Sequence, residues 1–98
     1  MTALRRPLPA AYTDDALDDL DNIAEYYAQQ QAWDAAIQVP DRIPQEVPLI
    51  GHQPKAWSVG VSGHRERILG DLPFRIVYDI GAGNVTILRI KNTRQQWP

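Results

Sequence analysis

The stretch FRIVYDIGAGNVTILRIK, residues 74–91, decides the fold. Phe74, Ile76, Tyr78 and Ile80 alternate with Arg75, Val77 and Asp79, which is the period of a half-buried strand. A second run of β-branched residues follows at Asn84–Lys91. Between the two runs stands Gly81-Ala82-Gly83-Asn84, residue types that tolerate the positive φ of a tight hairpin. Two antiparallel strands are expected here. Upstream, Gly70-Asp71-Leu72-Pro73 makes a similar break after HRERIL, residues 64–69, which adds a third strand to the meander.

The N-terminal half reads differently. TDDALDDLDNIAEYYAQQQ, residues 13–31, is an amphipathic helix. Thr13 is placed to cap it, and Asp14 and Asp15 suit the positive end of the helix dipole. Leu17, Leu20, Ile23, Ala24 and Tyr27 recur at spacings of three and four and form one apolar stripe. The acids fall mostly off that stripe, as a solvated helix face requires. A second helix is expected from Trp33, with Ala36, Ile37, Ile43, Val47 and Ile50 as its apolar positions. Pro40, Pro44 and Pro48 lie in the same stretch, and an interior proline costs a helix about 3 kcal/mol. The helix should therefore be kinked or broken between Val39 and Pro48. Residues 4–12, with Pro7 and Pro9, read as extended, and any strand there belongs at a sheet edge.

The outline is α+β: an N-terminal strand, a two-helix hairpin and a small antiparallel sheet, in the order β-α-α-β-β-β. At 98 residues a single domain spanning 1–98 is expected. No apolar run is long enough for a transmembrane helix, and the N-terminus has no apolar core of a secretory signal. The sequence has no cysteine, so disulfides and thiolate metal sites are excluded, and a reducing cytoplasm is compatible with it. His52 and His64 have no metal-ligand spacing, so neither a metal nor a cofactor is expected.

The formal net charge of −2 is unevenly distributed. Residues 1–64 hold four cations and nine acids, whereas residues 65–98 hold six cations and three acids. Arg65 and Arg67 share a strand face, as do Arg89 and Lys91, and Arg75 sits on the strand between. Their expected place is a basic patch on the sheet face that the helices leave open. Such a patch suits anionic groups of a partner, and equally suits the polar face of a half-covered sheet. No nucleophile or phosphate-loop motif is present, and no catalytic residue is assigned. His64 beside Arg65 reads as a surface or loop histidine with no orienting carboxylate in its local sequence. Trp33 and Trp57 read as core, and Trp97 as a core plug or an exposed anchor.

These parts, in this order, resemble the RelE/ParE superfamily of type II toxin–antitoxin toxins. Ala16, Asp19, Leu20 and Ile23 fit its first-helix pattern A-x-x-D-L-x-x-I. Gly63, Arg65 and Glu66 fit G-x-R-E, and Phe74, Arg75, Ile76 and Tyr78 fit (Y/F)-R-I-x-Y. Ile87, Leu88 and Ile90, with the tail residues Arg94, Trp97 and Pro98, fit its C-terminal pattern. The chain departs from that pattern at Asn92, where the tail often has His, and at Pro40 and Pro44 in the second helix.

The resemblance implies one of two activities. RelE-like members cleave mRNA on ribosomes or free, which needs acid–base groups and cations. ParE-like members bind and inhibit DNA gyrase and need only a surface. Asn92 in place of a titratable residue, the acidic overall charge and a loop with Lys55 alone favour the ParE-like branch, hence no enzyme activity. The expected target-binding residues are Arg65, Arg67, Arg75, Arg89, Asn92, Arg94 and Trp97. A ParD-like antitoxin that folds on binding is the implied partner in a hetero-oligomer, with Leu17, Leu20, Tyr27, Trp33 and Ile37 as its contact residues. The alternatives are a RelE-like nuclease and a non-toxic interaction module of the same fold. A cytoplasmic location follows from the resemblance.

Overall fold

The computed structural model describes residues 6–94. Its elements run β1 (Ala10–Tyr12), α1 (Asp14–Gln29), α2 (Trp33–Gln45), α3 (Val47–His52), β2 (Arg65–Ile68), β3 (Phe74–Ile80) and β4 (Val85–Asn92). The four strands form one sheet in the order β1-β4-β3-β2. The fold is α+β with a helical hairpin over one sheet face, as the sequence implies.

The β3–β4 hairpin is the sheet's centre. Phe74 stands opposite Asn92, Ile76 opposite Ile90, and Ile80 opposite Val85. Leu88 is an extra residue in β4, because Val77 pairs with Arg89 while Tyr78 pairs with Ile87. That bulge lets both ends of β4 keep their apolar residues on the covered face. In the turn, Gly81 N–H donates to the Asn84 carbonyl at 2.8 Å, and Gly83 takes a φ of 85°. β2 adds antiparallel to β3, and β1 adds parallel to the far edge of β4. β1 is an edge strand, as its flanking prolines demand.

Thr13 joins α1 to the sheet. Its Oγ1 accepts from Ala16 N–H at 3.1 Å as the helix cap and donates to the Leu88 carbonyl at 2.8 Å. Its own N–H donates to the Ile87 carbonyl. Ala16 and Ile23 are buried against the sheet, and Leu20 and Tyr27 pack at the margin of that core. Leu17 belongs to the expected stripe but is exposed. The stripe is rotated by one residue, because α1 is pinned at Thr13 and Asp19 and Ala16 takes the fully buried position.

The second helical stretch breaks at Glu46, inside the expected interval, and yields α2 and the short α3. Pro40 and Pro44 lie within α2 and do not break it. A proline's φ suits a helix, and what is lost is one backbone hydrogen bond per ring. Burial of Ile43, Val47 and Ile50 across the break offsets that loss. α3 also holds the N-terminal segment: Leu8 N–H donates to the Gly51 carbonyl at 3.0 Å. A side chain at Gly51 would place its Cβ 2.6 Å from the Leu8 carbonyl oxygen, so that backbone contact requires glycine.

Candidate binding surfaces

The strand cations do not gather on the open face. Register places Arg65 opposite Tyr78 and Arg67 opposite Ile76, and both partners are fully buried on the helix-covered side. Arg65 and Arg67 do share a face, but it is the covered one. Arg75 lies on the outer face, opposite Ile68 and Lys91. Arg89 stands opposite Val77, and its guanidinium turns over the β4 edge to α1.

Most of these cations are bound to acids of the same chain. Arg89 grips Asp19 with two hydrogen bonds, Nε to Oδ2 at 2.8 Å and Nη2 to Oδ1 at 2.9 Å. Asp19 Oδ2 also accepts the Ile90 backbone N–H at 2.8 Å. Hydrogen bonding to Asp19 holds the Arg89 guanidinium above its ordinary pKa, against the opposing effect of burial.

Glu46, at the break between α2 and α3, bridges two arginines, with Oε1 to Arg67 Nη2 and Oε2 to Arg42 Nη2. Arg42 in turn forks onto Asp71 in the β2–β3 connection. The Arg67 hydrogen bond, aided by the charges of Arg67 and Arg42, keeps the Glu46 carboxyl below the usual carboxylate range. The Arg67 guanidinium carbon lies 4.6 Å from the centre of the Trp57 ring, a cation–π contact. Arg75 pairs with Glu66 at 3.3 Å.

Arg65 donates to the Trp57 carbonyl at 2.7 Å, and Tyr78 Oη donates to the Pro54 carbonyl at 2.5 Å. Burial pushes the Tyr78 phenol up in pKa, so it is a donor at neutral pH. Asn92 Oδ1 accepts Arg94 N–H at 2.8 Å, and Arg94 is exposed. Trp97 lies outside the described residues. The expected patch is thus divided between two faces and several ion pairs. Alternation along a strand says which residues share a face and not which face is covered.

The helical hairpin leaves three of its five candidate residues open. Leu17 is 47%, Trp33 64% and Ile37 72% exposed, whereas Leu20 and Tyr27 pack on the core margin. Trp33 is therefore not core, while Trp57 is partly buried. Trp33 and Ile37 lie one turn apart on the same side of α2.

Three features are not expected from the sequence. Tyr26 is exposed beside a cleft of about 400 Å³ between α1 and the end of β4, which Asn22, Phe74, Lys91 and Asn92 also line. Val59 and Val61 stand exposed on the turn before β2. His64 has an orienting carboxylate after all, with Nδ1 2.6 Å from Asp79 Oδ1, both side chains about half exposed. Asp79 comes from the next strand, so local sequence cannot reveal it. Among the described residues no group of three His, Asp or Glu side chains is placed to hold a metal, and no helix is long and apolar enough to cross a membrane.

Two outcomes follow for stability. Asp19→Ala strips Arg89 of its partner and Ile90 N–H of its acceptor, and is expected to cost about 2–4 kcal/mol in chemical denaturation. Asp19→Asn should cost less, since the amide oxygen still accepts from Ile90. Equal losses would show that the helix-to-edge hydrogen bond contributes nothing. For Glu46, whose folded pKa is depressed, the contribution is complete at neutral pH. It fades as pH falls below the unfolded value of about 4.3 and is gone below the folded one. Glu46→Gln should therefore lower stability at pH 7 and flatten its decline below pH ~4, as read from denaturation midpoints across pH; an unaltered acid limb would remove Glu46 from that role.

A family model described as "ParE toxin of type II toxin-antitoxin system, parDE" matches residues 10–97. Among solved structures, one titled "Chromosomal ParDE TA system from P. aeruginosa" superposes with a TM-score of 0.74 at 24% identity, covering 87% of this chain and 95% of that one. At that identity the likeness is one of fold. No curated protein matches the chain significantly. The match to the family model spans nearly the whole chain, and the protein belongs to the ParE toxin family of type II toxin–antitoxin systems.

Proposed function

We propose that the protein is the growth-arresting component of a toxin–antitoxin pair, acts in the cytoplasm by binding DNA gyrase, and performs no chemistry of its own. Family membership supports the toxin role. The observation that carries the binding reading is the commitment of Arg42, Arg67, Arg75 and Arg89 to carboxylates of the same chain. RNA cleavage needs cations gathered around a scissile phosphate, beside groups that take and give a proton. Here the cations are dispersed over two faces, and Asn92 stands where the family tail often has His. Arg94, Asn92 and Trp97 remain the tail's candidate target contacts, while Arg65 and Arg67 brace the loop before β2 and the helix break, and Arg89 ties β4 to α1.

A ParD-like antitoxin would neutralise the protein by laying an amphipathic segment over the helical hairpin. Leu17, Trp33 and Ile37 are the exposed apolar residues such a segment would cover. Leu20 and Tyr27 would support that surface from the core margin.

The second reading is a RelE-like nuclease, and one observation favours it. Asp79 Oδ1 lies 2.6 Å from His64 Nδ1, the kind of orienting contact a general base uses. Among the described residues Arg65, the cation next to His64, is engaged with the Trp57 carbonyl.

Purified protein is expected to inhibit gyrase supercoiling at near-stoichiometric amounts, and His64→Gln should inhibit equally. If gyrase is untouched, mRNA is cut on ribosomes, and His64→Gln abolishes cutting, the nuclease reading replaces this one. Trp33→Ala with Ile37→Ala is expected to weaken antitoxin binding by about 10–100-fold with an unchanged melting temperature. Full affinity in that double variant would move the antitoxin elsewhere.

A further inference from the structure

Between α1 and the end of β4 lies a cleft of about 400 Å³. Ile23, Phe74 and Ile90 of the hydrophobic core line it, together with Tyr26, which is 58% exposed. The amides of Asn22 and Asn92 stand at the same cleft. Asp19 and Arg89 border it too, and each already holds the other. Such a cleft suits a large apolar group with one polar handle, which is what an indole is.

The chain itself leads there. β4 ends at Asn92, and Thr93 N–H is fixed on the Pro73 carbonyl at 2.8 Å. Asn92 Oδ1 accepts Arg94 N–H at 2.8 Å, an Asx turn that holds the backbone of Arg94 against a residue lining the cleft. Residues 95–98, Gln-Gln-Trp-Pro, lie outside the described residues. Three residues of extended chain span about 10 Å, so Trp97 has the cleft within reach of Arg94. Trp97 is the only large apolar side chain after Ile90. The family model runs to residue 97, three positions past Arg94, so Trp97 belongs to the family's domain. Charge agrees as well. α1 carries no cation, and Asp18 and Glu25 lie one turn to either side of Asn22. Residues 91–98 carry Lys91, Arg94 and no acid. A segment tethered so closely also competes at an effective concentration on the order of mM, which favours it over a separate partner.

We propose that Trp97 of the same chain fills this cleft, its ring against Tyr26 and Phe74 and its indole N–H at the amide edge. Asn92 is then the positioning residue that turns the tail toward the cleft. The inference goes beyond the toxin reading and requires neither gyrase nor an antitoxin. Seated there, Trp97 acts on a target through Arg94, whose place it fixes.

The test is proton NMR on the free full-length chain, with melting temperatures for purified variants. Nuclear Overhauser contacts are expected from the Trp97 indole to Ile23, Tyr26 and Phe74, and their absence would overturn the proposal. Trp97→Ala is expected to lower the melting temperature by about 5–10 °C, and Trp97→Phe by less than half of that. An unchanged melting temperature in Trp97→Ala would equally overturn it. Asn92→Ala should weaken the indole contacts, and Asn92→Asp, which keeps the acceptor for Arg94 N–H, should restore them; full contacts in Asn92→Ala would refute the positioning role. If a second copy or the antitoxin fills the cleft instead, Tyr26 and Phe74 signals will ignore Trp97→Ala and move only with protein concentration or added antitoxin, and the proposal falls. Every readout is taken on the free toxin, so a failure to inhibit gyrase leaves the docking of Trp97 standing, and loss of the docking leaves the gyrase reading standing.

Discussion

The carboxylate of Asp19 ties the helical half of the protein to the sheet. β1 covers only the first three residues of β4's outer edge, Val85 to Ile87. Beyond that point the backbone N–H of Ile90 would face the gap beside α1. Asp19 supplies the acceptor, and its second oxygen engages Arg89, so one side chain completes a strand edge and closes an ion pair. Thr13 does the same one step earlier, on the carbonyls of Ile87 and Leu88. Together they set the rotation of α1, which places Ala16 and Ile23 in the core and leaves Leu17 outside.

A second cluster works in the same way at the other end. Glu46 stands where the helix breaks, and through Arg67 and Arg42 it reaches β2 and the β2–β3 connection. The break is therefore not slack. Arg67 also carries Trp57 on its face, and Arg65 carries the Trp57 carbonyl, so the loop before β2 is braced from the sheet. The arginines of this small protein serve largely as internal struts. Arg42, Arg67, Arg75 and Arg89 are each long enough to bury their stems and still bring a charge to a carboxylate on another element.

This has a functional corollary. A surface whose guanidinium groups at Arg42, Arg67, Arg75 and Arg89 are already paired with carboxylates is poor at steadying new negative charge. Exposed apolar residues stand at Trp33 and Ile37 on α2 and at Val59 and Val61 on the turn before β2. These two patches lie on different elements.

Strand period, turn glycines, the helix cap at Thr13 and the proline interval were all legible in the sequence, because each depends on residues a few positions apart. The β-α-α-β-β-β outline, the edge position of β1 and the break before Pro48 follow from those alone. The family resemblance likewise rests on short patterns in order. The tertiary structure alone decided which face of β2 the helices cover, and with it whether Arg65 and Arg67 meet solvent or Trp57 and Glu46. It alone brought Asp79 to His64 and Asp19 to Arg89. Alternation repeats every two residues and is blind to a rotation of the whole sheet, whereas a side chain's partner depends on where distant elements pack.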